Sequence, residues 1–286
     1  MKILNKQQST ILLIIILTIG LAFYQSYRPS HTESVDTIKV MTYNVHLFTD
    51  MGSSGQNNLV EIAQLIKDAG ADIIGLQESE GSRMASSNQY GVKWLADELN
   101  MYYYFGPSTH LGVWGVSLLS RWEILNPRVE LLPSEGTLQR VAIVAEIDIP
   151  SPFGKISVIV THLSFDLQEV QLAQAEKIVE LAKNNDKTIA MGDFNTVIAQ
   201  LDGKSINDDP TFVLLNNSLV DSWVESGGAA DENTSFHFSE AEPDINNTRI
   251  DYIWYLGDFT VIIGNHQVLG DESVSDHRAI LVEFTA

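Results

Sequence analysis

Apolar runs of strand length in this chain repeatedly begin or end on a residue that can hold a metal or move a proton. Asn44 stands in "MTYNVH", Glu78 in "LQE" and His162 in "VTHL". Asp193 and Asn195 stand in "GDFN", Asp251 in "RIDYI", and Asp276 and His277 in "SDH". Each has an ordinary structural reading when taken alone. Asn44 suits a turn, Glu78 a helix cap and His162 a satisfied core imidazole, while "GDFN" and "SDH" suit loops, because Asp, Asn and Gly are common turn residues. Taken together they form an inventory of carboxylates, amides and imidazoles, each delivered by a strand-like segment. Mg²⁺ and Mn²⁺ prefer such oxygen donors. The set suits metal-assisted attack of water on a phosphoester. A closed zinc site fits poorly, since the chain has no cysteine and its histidines are scattered.

The segments between these residues set the fold class. Residues 37–45, "ADIIGLQE", "YYYF", "GVSLLS", "RVAIVAEID", "KISVIVTHL", "KTIAMGDFN", "RIDYIWYL", "FTVIIG" and "AILVEF" read as strands. Leu59, Ile62, Ala63 and Ile66 recur at helical spacing, as do Val92, Leu95, Ala96 and Leu99, and Leu172, Ala175, Ile178 and Val179. Strands outnumber helices, which predicts one α/β domain with a mixed or antiparallel sheet system. The polar stretches 200–210 and 226–248 read as surface loops. No internal repeat is present.

Charge narrows the function. There are 17 Lys+Arg against 37 Asp+Glu, a net of −20. A protein gripping a nucleic acid backbone usually presents a basic face, so the balance weighs against a tightly binding nuclease, although a local basic groove can exist within an acidic total. The absence of cysteine removes disulfides, thiol nucleophiles and acylation at cysteine.

The N-terminus carries Lys2 and Lys6 before an apolar run from Ile11 to Tyr24. That run is short for a full span, and no convincing small-x-small cleavage site follows it. Residues 1–27 are therefore expected to be an uncleaved signal anchor, with a cleaved signal peptide or a buried helix as alternatives. The lysines favour a cytoplasmic N-terminus and a domain outside the cytoplasm. Residues 28–36 read as a linker, and 37–286 as the catalytic domain.

The ordered set "TYN…QE…TH…GDFN…IDYI…SDH" resembles the endonuclease/exonuclease/phosphatase, or DNase I-like, family over about residues 38–284. That resemblance implies a four-layer α/β/β/α sandwich with two central sheets and an active site at their upper edge. A narrower stretch, residues 74–124, is similar to the C-terminal domain of membrane proteins that remodel GPI-anchor lipids. Its shared pieces are "LQES", "FGPST", "WG" and "LSR". The resemblance implies a Mg²⁺- or Mn²⁺-dependent hydrolase of phosphoesters. Glu78 would bind the metal with Asn44 and Asp276 beside it. Asp193 would orient or deprotonate water, and Asn195 would hold that water or a phosphate oxygen. His162 and His277 would donate to phosphate oxygens, and Asp251 would orient one of these imidazoles. The expected substrate is a membrane lipid or GPI-like or sphingolipid head group, with a secreted or surface nuclease as the alternative. Arg83, Trp114, Arg121 and Arg140 are weaker candidates for substrate contact, since arginines also serve ordinary surface pairing. His46, His110, His237 and His266 read as structural.

Overall fold

A computed structural model describes residues 34–49, 57–80, 90–108, 113–196, 209–229, 235, 249–271 and 273–286. The first half contains β1 (Thr37–Asn44), α1 (Leu59–Ala69), β2 (Ile73–Glu80), α2 (Gly91–Leu99), β3 (Tyr102–Pro107), β4 (Trp114–Ser120), β5 (Ile124–Leu131) and β6 (Val141–Ile149). The second half adds β7 (Gly154–His162), α3 (Gln168–Lys183), β8 (Thr188–Asp193), α4 (Pro210–Ser218), β9 (Val220–Asp221), α5 (Ser222–Glu225), β10 (Asp251–Leu256), β11 (Thr260–Leu269) and β12 (Ala279–Thr285). The expected anchor, residues 1–27, lies outside the described residues. Among the described residues no helix is long and apolar enough to cross a membrane.

Among the described residues two six-stranded sheets form, in the orders β11-β12-β1-β2-β4-β3 and β5-β6-β7-β8-β10-β9. Each contains one parallel pair, β1 with β2 and β7 with β8, and all other pairings are antiparallel. A parallel pair needs a crossover, and α1 and α3 provide one each.

Period-two alternation then builds four layers. Ile38 and Val40 of β1 pack between the sheets with Val158 and Val160 of β7, Ile189 and Met191 of β8, and Ile253 of β10. Met41 and Tyr43 point the other way, onto Ile62, Ile66, Val92 and Leu95 of α1 and α2. Ile159, Ala190, Tyr252 and Trp254 cover the outer face of the second sheet together with Ile178, Ala182 and Leu215 of α3 and α4. The result is the α/β/β/α sandwich that the motif set implies.

Four elements escaped the periodicity reading: β5, α4 and the short β9 and α5. Strand β5, "ILNPRVEL", contains Pro127 and alternating exposure; it sits at a sheet edge, where a missing N–H is tolerated. Helix α4 starts on Pro210, after Asp209, whose carboxylate accepts from Thr211 N and Phe212 N. This is an N-cap hidden in a run that looked like loop.

Candidate active site

The inward row of each parallel strand ends on a polar group. In β1, Ile38 and Val40 belong to the inter-sheet core, and the same face continues through Thr42 to Asn44. In β7, Ile156, Val158 and Val160 are followed by His162; in β8, Ile189 and Met191 are followed by Asp193. Strand β10 runs antiparallel to β8, so its first residue, Asp251, pairs with Asp193. The apolar slab between the sheets therefore has a polar mouth at the carboxyl ends of its parallel strands, where open α/β sheets bind ligands.

Glu78 needs a special device. Alternation from Ile74 and Leu76, which face the helices, would send its side chain to the same outer face. Instead the β2–β4 register shifts between Leu76 and Ser79, and Glu78 adopts φ +49°. A bulge of this kind re-aims a side chain. The Glu78 carboxylate thereby accepts from Asn44 Nδ2 at 3.2 Å.

Asn44 is the hub. Its Nδ2 also donates to Asp193 Oδ2 at 3.1 Å and lies 3.4 Å from His277 Nε2. Its Oδ1 accepts from the backbone of His46 at 3.2 Å. In this arrangement Asn44 faces the carboxylates as a donor, with its oxygen turned to the backbone. A side chain from the first sheet thus bridges to Asp193 in the second.

His277 Nδ1 lies 2.8 Å from Asp251 Oδ2, and its Nε2 lies 3.7 Å from Asp193 Oδ2. Burial works against the imidazolium. Asp251, through both charge and hydrogen bond, and then Asp193 and Asp276 outweigh it and lift the pKa to about 10. With both ring nitrogens protonated, Nε2 points its proton toward Asp193. His162 is the opposite case: its Nε2 is 3.3 Å from Asp193, but burial, Arg140 and His277 push its pKa well below the usual value. It is neutral and donates from one nitrogen only. Burial and then Asp251 raise Asp193 to about 7, against the pull of His277, Asn44 and the Asn195 backbone N–H.

Asn195 has a local task. Its backbone N–H binds Asp193 Oδ1 at 2.9 Å, and its Nδ2 donates to Leu163 O at 2.9 Å. With φ +50° it closes the turn and ties the exits of β7 and β8 together. Phe194 points away into the outer core beside Tyr252 and Trp254. Asp276 is partly exposed at the same mouth, with Oδ1 3.4 Å from Ser275 Oγ. Ser275 pins this loop to β1 by donating to Asn44 O at 2.7 Å and accepting from His277 N at 3.2 Å.

Ser235 carried no sequence signal, and Ser275 only its place in "SDH". The buried Ser235 Oγ accepts from the backbone of Ile250 and Asp251 at 3.2 and 3.0 Å, fixing the start of β10. Arg121 pairs with Asp72 at 2.6 Å, the ordinary surface role. Arg140 and Trp114, by contrast, stand beside His162. Arg83 lies outside the described residues.

The donor set fits a hard divalent cation. Glu78, Asp193, Asp251 and Asp276 converge against one imidazolium and Arg140, leaving an excess of negative charge. Among the described residues, ligand atoms of Asp193, Asp251 and His277 lie within 4.8 Å of one another. In that group Asp251 Oδ2 is held by His277, while Asp251 Oδ1 is buried and carries no hydrogen bond.

A family model described as the PGAP2IP C-terminal nuclease-like domain matches residues 35–225. The chain belongs to this family. The matched segment carries Asn44, Glu78, His162, Asp193 and Asn195, while Asp251, Asp276 and His277 lie beyond it and are brought in by the sheets. Protein cwh43 of Schizosaccharomyces pombe is 31% identical over 161 residues, covering 56% of this chain and 15% of that protein. The chain therefore spans a small part of that relative's length. The fold is shared with an endonuclease/exonuclease/phosphatase from Beutenbergia cavernae, at TM-score 0.70, 21% identity, and 88% and 72% coverage of this chain and that one. It is also shared with one from Bacteroides vulgatus, at TM-score 0.68, 17% identity, and 87% and 98% coverage. Membership of this nuclease-like family supports phosphoesterase-type chemistry for the mouth of the PGAP2IP-like domain.

Proposed function

We propose that this PGAP2IP-like chain is a metal-dependent phosphodiesterase acting on a membrane lipid, GPI-like or sphingolipid head group outside the cytoplasm. The observation that carries it is the meeting of Asn44, Asp193, Asp251 and His277, from both sheets, within hydrogen-bonding reach. Similarity to GPI-anchor-remodelling proteins over residues 74–124, the match to cwh43, and the apolar N-terminal run support the lipid and the tether.

Glu78 and Asp276 would hold Mg²⁺ or Mn²⁺, with Asn44 orienting Glu78, and the ion would supply Lewis-acid neutralisation of phosphate charge. Asp193, poised near neutral pH, takes a proton from the attacking water. The water oxygen bonds to phosphorus as the bond to the leaving alkoxide breaks. His277, kept charged by Asp251, donates to a non-bridging oxygen as its charge grows; His162 adds a single neutral donor. Asn195 holds the turn that aims Asp193. Catalysis of this kind is mostly positioning and charge stabilisation.

The test incubates purified full-length protein with phosphoinositol, phosphocholine and GPI-type lipids and with DNA, with and without EDTA. Release of lipid head groups that EDTA abolishes and Mg²⁺ or Mn²⁺ restores is the expected result, with His277→Ala folded and inactive. DNA cleavage without lipid hydrolysis establishes the nuclease alternative. Near wild-type turnover by His277→Ala removes the assigned mechanism.

A further inference from the structure

Arg140 is 2% exposed, yet among the described residues no carboxylate lies within salt-bridge distance of it. Its Nε and Nη1 are buried without hydrogen-bond partners. Leaving a buried cation in that state costs several kcal/mol, so native proteins rarely keep one without use. Its location supplies a use. Its guanidinium sits 5.3 Å from the centre of the Trp114 ring, and that ring lies 6.0 Å from the His162 ring. Trp114 comes from the first sheet and His162 from the second, and Arg140 directly precedes β6 of the second. The three side chains make one wall of the catalytic mouth.

The charges around Arg140 point the same way. Burial lowers its pKa, and Asp193, Glu78 and Asp166 raise it from a distance. It feels the catalytic carboxylates but does not bind them, which leaves them free for water and metal. Its backbone is fixed independently of its head: Arg140 O accepts from Leu132 N at 3.0 Å and from Gln139 Nε2 at 2.7 Å. Gln139 Nε2 also donates to Leu132 O at 2.8 Å, clipping the end of the β5–β6 hairpin. A guanidinium with two unused donor nitrogens matches the oxygens of a phosphoryl group, and an aromatic face holds it without consuming those donors.

We infer that Arg140, aligned by Trp114, binds a non-bridging oxygen of the scissile phosphoryl group, making it a second fixed cation opposite the metal-binding carboxylates. The inference rests on the phosphoesterase reading of the same mouth. Arg140 is then a catalytic residue and Trp114 a positioning residue.

The experiment uses full-length protein with Mg²⁺ and compares wild type, Arg140→Ala, Arg140→Lys and Trp114→Phe. Three quantities are read: kcat and KM on bis-p-nitrophenyl phosphate, binding of inorganic phosphate by calorimetry, and the thermal unfolding midpoint. By analogy with deletion of an oxyanion donor, Arg140→Ala should lose about 100-fold or more in kcat/KM and lose phosphate binding. Guanidinium in solution should restore part of that rate, which a purely structural arginine would not permit. Arg140→Lys should keep the charge but recover only part of kcat, lacking the planar fork. Trp114→Phe should lower kcat more than it raises KM. Should Arg140→Ala fail to fold, Arg140→Lys carries the comparison. A folded Arg140→Ala or Arg140→Lys with wild-type phosphate affinity and rate overturns the inference and leaves the phosphoesterase reading standing. Arg140-dependent phosphate binding by a wild-type protein that hydrolyses nothing preserves the anion site and rejects the hydrolase.

Discussion

Gly192 is the residue whose replacement should reveal how the mouth is built. It lies in β8 directly opposite Thr161 of β7, one residue before the His162–Asp193 pair. A Cβ placed on Gly192 would sit 2.1 Å from Thr161 O, where ordinary contact begins at 3.4 Å. The obstacle is backbone in a paired strand, so no side chain can swing aside. The strands must separate by more than an ångström. The neighbouring bond from Leu163 N to Asp193 O, now 2.9 Å, then leaves hydrogen-bonding range. Overpacking costs about 1–3 kcal/mol and an unsatisfied buried backbone group about 1–3 more, so Gly192→Ala should destabilise by about 2–6 kcal/mol. Gly75→Ala is the internal control. Its Cβ meets only side chains, Met191 Cγ at 2.7 Å and Val160 Cγ1 at 3.0 Å, which can shift without parting the strands, so the overpacking cost alone, about 1–3 kcal/mol, is expected. Urea unfolding followed by circular dichroism measures both. A loss below about 1 kcal/mol for Gly192→Ala, or one no larger than that of Gly75→Ala, refutes the close-approach reasoning.

Asp251→Asn should keep the fold but cut kcat by about 10²–10⁴, because His277 loses the carboxylate that holds its proton. The same variant tests the linkage. His277 is raised from 6.5 to about 10 in the folded chain, so its contribution to stability is full below pH 6.5 and disappears as pH rises through 10. Metal-free wild type should lose urea resistance over that window; Asp251→Asn should show a flatter profile, and an unchanged slope would contradict the assignment. Asp221→Ala should cost about 3–5 kcal/mol in the same unfolding assay, since Arg249 is 3% exposed and bound to Asp221 through two contacts of 3.0 and 2.6 Å. A loss under about 1 kcal/mol would show that the pair is not structural.

Much of this molecule is written locally. Alternation in "TIKVMTYN" and "KISVIVTH" specifies which residues face the same way, and hence that Asn44 and His162 continue an apolar row. Helical spacing specifies α1, α2 and α3, and the order of motifs specifies the family resemblance. Residue chemistry alone marks Asn44, Glu78, His162, Asp193, Asn195, Asp251, Asp276 and His277 as candidates, because polar groups at the ends of buried strands need a reason to be there.

Tertiary structure decided the rest, because the deciding interactions are non-local. Only sheet pairing sets Asp251 against Asp193, 58 positions apart in the numbering, and only stacking of the two sheets brings Asn44 to Asp193. Strand period would have turned Glu78 outward; a bulge against β4 turned it in. The family resemblance implies that Asn195 holds the attacking water or a phosphate oxygen, and the fold adds a turn clasp made by its backbone N–H and Nδ2. Arg121 and Arg140 are the same residue in sequence terms. One is half exposed and paired with Asp72, and the other is buried against tryptophan without a carboxylate partner, because burial and partner are properties of a folded surface rather than of a chain.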